Sequence, residues 1–280
     1  RGFKKHTKLG MLWRNWTIDE LTMIFTFLKS RRRKKILSQP FPTLHKEVLQ
    51  NKFPLFLKLP SEQQNVLEDL IQVFLAEKQF EGCNGFEVSD EIRVLVAAQA
   101  CTLLIGNKQR EFSKLKSILI YPKHYYSKSE QISDHGIVTV SEQTVLGQSW
   151  EQGLVSLSWE SAKRGAANMK DGRNVVIHEF AHQLDQEDGH ANGLPVLRSS
   201  CRYEAWKSVL GKEYGRLQNR VEKGKKTIMD AYGATNPAEF FAVASECFFE
   251  KPRQLKRHRP ELYGELKTFY GQDPVVYHSI

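Results

Sequence analysis

The stretch 175-VVIHEFAHQLDQEDG-189 decides how the rest of the chain is read. Within it, His178 and His182 bracket Glu179 in the order His-Glu-x-x-His. On an α-helix, residues four apart lie on one face, about one turn apart. Two imidazoles so placed can converge on one ion, each at roughly 2.0–2.1 Å. A carboxylate at position 179 lies beside them and is free to act on water instead of the metal. Two ligands and a general base from a single helical turn is the HExxH arrangement of hydrolytic zinc sites.

By chance the pattern arises in on the order of a few per cent of chains this long, so its surroundings matter. Val175, Val176 and Ile177 precede it, and Phe180, Ala181 and Leu184 interleave with it. This predicts a buried helix, capped by Asn174 and ended by Gly189. Two buried neutral histidines need partners. The competing reading is a pair of core histidines satisfied by hydrogen bonds alone.

A catalytic zinc takes three protein ligands and keeps one position open. Position 188, where a longer HExxHxxGxxH pattern would supply the third, is Asp188. A glutamate on a second helix is the better source. The segment 236-NPAEFFAVASECFFEKP-252 has Asn236 as cap, Pro237 at the first position and Pro252 beyond the end. Glu239 stands near its start among Phe240, Phe241, Ala242 and Val243, where an ionised carboxylate is costly unless paired or metal-bound. Spacing leaves alternatives open. Glu239 could be the N3 member of a capping box with Asn236, and Glu246, seven residues on and on the same face, is a rival ligand. Asp185, one turn after His182, could orient a histidine or face solvent at the helix end.

The remaining organisation is mixed. The spacing predicts helices over 62–80, with a capping box from Ser61 and Gln64, over 90–106, with Asp90 as cap, and over 202–222. Strands are expected at 117-SILIYP-122, 136-GIVTVSEQTVLG-147 and 154-LVSLSW-159. The proline-punctuated residues 36–60 are expected to wrap the surface or lead into a helix, and 223–226 to form a loop. The implied fold class is α+β, with helices packed on a small mixed sheet and a helical N-terminal part. The active-site helix would lie under the sheet, with 154–159 as the edge that pairs with an extended peptide. By domain, 1–35 reads as a basic, flexible segment and 36–280 as one domain, helical over 36–110 and catalytic over 111–280.

Composition narrows the function classes. The formal charge of +9 lies wholly in residues 1–35, which hold eleven basic side chains against two acidic ones. The other 245 residues balance at 30 basic and 30 acidic. No specific nucleic-acid binding by the domain is therefore expected. No run reaches the roughly 18–20 apolar residues of a membrane helix. The apolar run 21-LTMIFTFL-28 precedes the basic cluster 31-RRRKK-35, the reverse of signal-peptide order, and Met23 is a candidate natural start. Cys83, Cys101, Cys201 and Cys247 form no CxxC pair, which suits a reducing cytoplasm.

The residues 178-HEFAHQLDQEDG-189 followed by 230-DAYGATNPAEFFAVASECFF-249 resemble the zinc peptidases of the Mlc titration factor A family, as do 75-LAEKQFEGCNGFEVSDEIRVLVAAQACTLLIG-106 and 119-LIYP-122. The catalytic region of that family is in turn similar to the peptidase domain of anthrax lethal factor. The resemblance spans residue 36 to the C-terminus and leaves out 1–22. It implies a zincin-like metallopeptidase domain holding one Zn²⁺ on His178, His182 and Glu239. Glu179 would be the general base and Tyr232 the group facing the developing oxyanion. It further implies aminopeptidase activity on a peptide or protein substrate and, in some enteric bacteria, binding of the transcriptional repressor Mlc. A protein that sequesters such a repressor, with peptidase activity secondary, is the alternative.

Overall fold

The computed structural model describes residues 18–107, 110–123, 125–132, 138–145, 147–150, 153–197 and 199–277. The chain divides into two compact units, residues 1–40 and 41–280. In the first, helix α1 runs Ile18–Leu37 and carries Lys34 and Lys35 in its last turn. Among the described residues no helix is long and apolar enough to cross a membrane.

The second unit opens with helices α2 (Thr43–Lys52), α3 (Pro54–Lys58) and α4 (Ser61–Glu77). The proline-punctuated stretch leads into helices, one of the two outcomes expected of it, and its prolines help to build them. Pro54 occupies the first position of α3, where the missing N–H costs nothing. The helix expected over 62–80 stops at Glu77, and Gln79–Gly82 form strand β1. Lys78 donates to the carbonyls of Phe112 and Leu115, both at 2.7 Å, and β1 then pairs with the next strand. Tertiary pairing has overridden helical periodicity there. The Ser61–Gln64 capping box is also not formed: Gln64 donates to Leu59 O instead. Helix α5 spans Asp90–Thr102 and is capped by Ser89, one residue before the expected Asp90.

Strand β2 (Ser117–Tyr121) follows, then β3 (Tyr125–Ile132), β4 (Val138–Val145), β5 (Gly147–Trp150) and β6 (Leu154–Ser158). Strands β3 and β4 form a separate antiparallel pair, within which part of the expected strand 136–147 falls. The main sheet has the order β1-β2-β6-β5: β1, β2 and β6 are parallel, and β5 is antiparallel to β6. It is the small mixed sheet expected, but β6 is interior and not the edge. Its residues Val155, Ser156, Leu157 and Ser158 are all buried, as a strand covered on both faces requires. The edge on that side is β5.

Helix α6 (Trp159–Ala167), starting on a residue expected to be strand, leads to helix α7 (Val175–Asp185), the HExxH helix. α7 packs on β5, β6, α5, α6 and the later helix α9. Phe180 on its core side meets Phe112 at 4.8 Å and Phe74 at 5.8 Å between ring centroids, which fixes the helix rotationally. Helix α8 runs Ser200–Glu222, and α9, Pro237–Glu250, starts at Pro237 behind the Asn236 cap. Pro252 and Pro260, at the first positions of helices α10 (Pro252–His258) and α11 (Pro260–Tyr270), start new helices. Trp206, Phe241 and Phe269 join these C-terminal helices in one aromatic cluster.

The loop after α7 is pinned against the start of α9. Gly193 has φ +73°, and a Cβ there would sit 2.4 Å from the carbonyl oxygen of Pro237. Its N–H donates to Asp185 at 2.8 Å and its carbonyl accepts from the Trp206 indole at 2.9 Å. Gly193→Ala is expected to cost about 1–3 kcal/mol through positive φ and the clash together. Thermal denaturation would register it as a lower melting temperature; an unchanged value would mean that this loop does not brace α9.

Candidate metal centre

The site is assembled where the first turn of α7 meets one face of α9. Asn174 Oδ1 accepts from the N–H groups of Val176 and Ile177 at 3.1 and 3.0 Å, the expected cap. The residues just before it are held by carboxylates from α9. Glu250 accepts from Gly172 N at 2.8 Å and Arg173 N at 3.0 Å, and Glu246 from Asn174 N at 2.5 Å. Glu239, Glu246 and Glu250 are spaced i, i+7 and i+11, so they form one stripe along α9. The stripe meets the positive end of α7, where carboxylates are favoured.

The other oxygen of Glu246 contacts His178 Nδ1 at 2.8 Å, and Glu239 Oε2 contacts His178 Nε2 at 2.9 Å. His182 Nε2 stands 3.2 Å from His178 Nε2 and 3.4 Å from Glu239 Oε2. These three atoms form a triangle that could hold a metal ion. Tetrahedral ligands at roughly 2.0–2.1 Å from an ion lie about 3.3 Å apart, close to all three separations. The donor set fits a zinc-type ion. Glu246 faces the opposite ring nitrogen, so the rivals of the sequence reading serve the same histidine from its two sides. Asn236 does cap the N–H of Glu239, at 2.9 Å, but the Glu239 side chain turns to the histidines instead of closing a capping box.

Charge in the site favours a cation. Burial would lower the His178 pKa, but its bonds to Glu239 and Glu246 dominate and raise it well above 6.5. Burial would raise that of Glu239, yet the two histidines pull it down to about 2. Glu179 is buried in the same turn, and its pKa is raised by burial against the pull of His178 and His182. Tyr232 lies on the short 3-10 turn Ala231–Ala234, its ring centroid 6.0 Å from that of His178. Burial and the neighbouring Glu239 and Glu179 push its hydroxyl up to about 12, so it stays a proton donor. Asp230 caps that turn by accepting from Tyr232 N at 3.0 Å and pairs with Arg173 at 2.8 Å, which ties Tyr232 to the start of α7.

Asp185 takes a role the sequence did not suggest. It is fully buried, anchors Gly193, and is pushed up to about 6 by burial. Glu246 as the histidine's second partner and Glu250 as the clamp on 172–173 were likewise missed. Their only sequence signal was seven- and eleven-residue spacing from Glu239.

An HExxH helix under a mixed sheet, with a distal helix-borne glutamate at the histidines, defines a zincin-like metallopeptidase. A sequence profile of the glucose-regulated metallopeptidase M90 family matches residues 27–271. An uncharacterised protein of Synechocystis is 39% identical over 247 residues, 88% of this chain and 90% of that protein. Proteins named Mlc titration factor A from Cronobacter sakazakii and Escherichia fergusonii are 32% and 31% identical over 226 residues, covering 80% of this chain and 84% of theirs. The chain belongs to the M90 metallopeptidase family, whose activity requires a metal ion.

Two outcomes follow from these charges. Glu239 and Glu246 favour the protonated form of His178, so a metal ion that takes its Nε2 should displace a proton; metal binding at pH 7 is then expected to release protons, with affinity rising with pH until His178 is neutral. Calorimetric titration of the metal-free protein in buffers of differing ionisation enthalpy measures this; buffer-independent heats would contradict it. Burial pushes Glu250 up to about 8 from 4.5. A raised carboxylate pKa means that ionisation opposes folding, so this group removes stability as pH rises from about 4.5 to 8. Glu250→Gln keeps an acceptor for Gly172 and Arg173 and should flatten that decline, giving a higher melting temperature than the parent at pH 9. Parallel melting curves across pH 5–9 would count against a neutral Glu250.

Proposed function

We propose that this protein is a zinc-dependent peptidase of aminopeptidase type that cleaves peptide bonds with water activated by Glu179. The observation that carries the reading is the triangle of His178 Nε2, His182 Nε2 and Glu239 Oε2, with Glu179 buried in the same helical turn. Two imidazoles and a carboxylate suit zinc, which when bound lowers the pKa of water and polarises a carbonyl. Glu246 holds the His178 ring by Nδ1, so that Nε2 faces the ion site. Glu179, kept basic by its raised pKa, accepts a proton from the attacking water and passes it to the leaving amine. Amide and water thereby become acid and amine. The Tyr232 hydroxyl donates to the carbonyl oxygen as charge develops there, an interaction worth a few kcal/mol per donor in other enzymes.

Among the described residues β5 pairs only with β6, so its other side offers a place for an extended substrate to add as a strand. Such pairing would recognise backbone and tolerate many side chains. The preference for cleavage from the N-terminus rests on the family resemblance. Four free cysteines are compatible with a cytoplasmic site of action. The relatives named Mlc titration factor A support a second reading, in which the protein also binds a repressor of the Mlc type. Both activities can reside in one molecule.

Glu179→Gln is expected to bind zinc at the parent's stoichiometry and to lose about 10²–10⁴-fold in kcat/KM. Aminoacyl chromogenic substrates and internally quenched peptides, assayed side by side, test the chemistry and the preferred end together. Turnover by the variant near that of the parent would remove Glu179 as the base. Cleavage of the internal peptides alone would replace the aminopeptidase assignment with an endopeptidase one.

A further inference from the structure

Near-zero net charge over 36–280 conceals a local separation of charge. Two basic runs, 220-RVEKGKK-226 and 251-KPRQLKRHRP-260, meet at a cavity of about 580 Å³ lined by Lys212, Gly215, Arg216, Asn219, Arg220, Lys225 and Arg259. Lys212, Arg216, Asn219 and Arg220 are spaced i, i+4, i+7 and i+8 along α8, which puts them on one stripe. The adjoining stripe of that helix, Trp206, Leu210, Glu213 and Leu217, is buried. Glu213 is 2% exposed and pairs with Arg216 at 2.6 Å and Arg259 at 2.9 Å. A buried carboxylate thus orients two guanidiniums, each with further donors to offer. Lys212 pairs with Glu261 at 2.6 Å. Five cations therefore face two carboxylates, leaving an excess of positive charge around one concavity. Gly215 forms open floor, since a Cβ there would meet nothing within 4 Å.

We propose that this cavity binds a small molecule carrying two or more phosphate groups. Its volume is in the small-ligand range of roughly 300–1,000 Å³ and is larger than a single inorganic anion needs. Three guanidinium forks match phosphate oxygens in pairs, Lys212 and Lys225 add charge, and Asn219 adds a neutral donor. None of the cavity's lining residues belongs to the HExxH centre, and the binding proposed for it does not depend on peptidase activity.

The test is calorimetric titration of the metal-loaded full chain with inorganic tripolyphosphate, and with sulfate at matched ionic strength. Gly215→Leu fills the floor while keeping every charge, and it raises helix propensity at an exposed position. Lys225→Glu reverses one exposed charge. The expected result is tripolyphosphate binding by the parent that weakens at least tenfold in both variants, with peptidase turnover unchanged. Chelation of the bound metal would affect all three proteins alike, so equal heats for the parent and Gly215→Leu would overturn the proposal. So would sulfate binding as tightly as tripolyphosphate, which would mark diffuse charge attraction in place of a pocket.

Discussion

The architecture of the centre depends on one contact, the carboxylate stripe of α9 against the N-terminal end of α7. Three ionised glutamates on one helix face would repel one another in an apolar interior, and burial pushes Glu250 toward its neutral form. They are tolerated because each meets a group of opposite character. Glu250 takes the N–H groups of Gly172 and Arg173, Glu246 takes that of Asn174 and one nitrogen of His178, and Glu239 takes the other nitrogen. Backbone donors at a helix start are fixed in direction, so these bonds set where α7 begins and how it is rotated. The same contact therefore performs two tasks. It docks one helix on the other and it delivers a histidine ring in a defined orientation.

That docking reaches beyond the two helices through the turn 171–174. Arg173 gives its N–H to Glu250 and its guanidinium to Asp230, and Asp230 caps the turn that holds Tyr232. At the far end of α7, Asp185 holds Gly193, whose close approach to Pro237 braces the start of α9 just before Glu239. The centre is thus closed by covalently distant segments that each end on a residue with a polar task. Loops so held keep a site in place better than their irregular backbone alone would suggest.

Much of this was legible in the sequence where the signal is local. The HExxH spacing, the Asn174 and Asn236 caps and Pro237 at a first helical position are short-range patterns, and the structure has all of them. The choice between Glu239 and Glu246 was not legible, because seven-residue spacing puts both on one face and cannot say which ring nitrogen each will meet. The edge of the sheet was misassigned for a related reason. Strand 154–158 reads as a strand from its own residues, but what makes it interior is pairing on both sides, with the adjacent β5 and with β2, more than thirty residues earlier in the chain. Its uncharged, small and apolar composition was the available sign of an interior strand. Pro252 was read as a stop when it also begins α10, since a proline that ends one helix is equally suited to start the next.

Summed quantities were the weakest guide. An even count of basic and acidic residues over 36–280 describes both a protein with charges well mixed and one with charges sorted. Here they are sorted: carboxylates gather along α9 around two histidines, and cations gather along the outer face of α8 and the adjoining turns. Both helices also bury an apolar face in a shared core, so each separates charge from hydrocarbon across its own width. Opposite charges kept apart in this way cannot neutralise one another through the intervening core. Each cluster must be balanced where it stands, by backbone donors, by a buried counter-ion such as Glu213, or by a ligand of opposite sign. At the HExxH centre the first of these is visible in the bonds to 172–174, and the remaining acidic excess around His178 and His182 is what a divalent cation would offset.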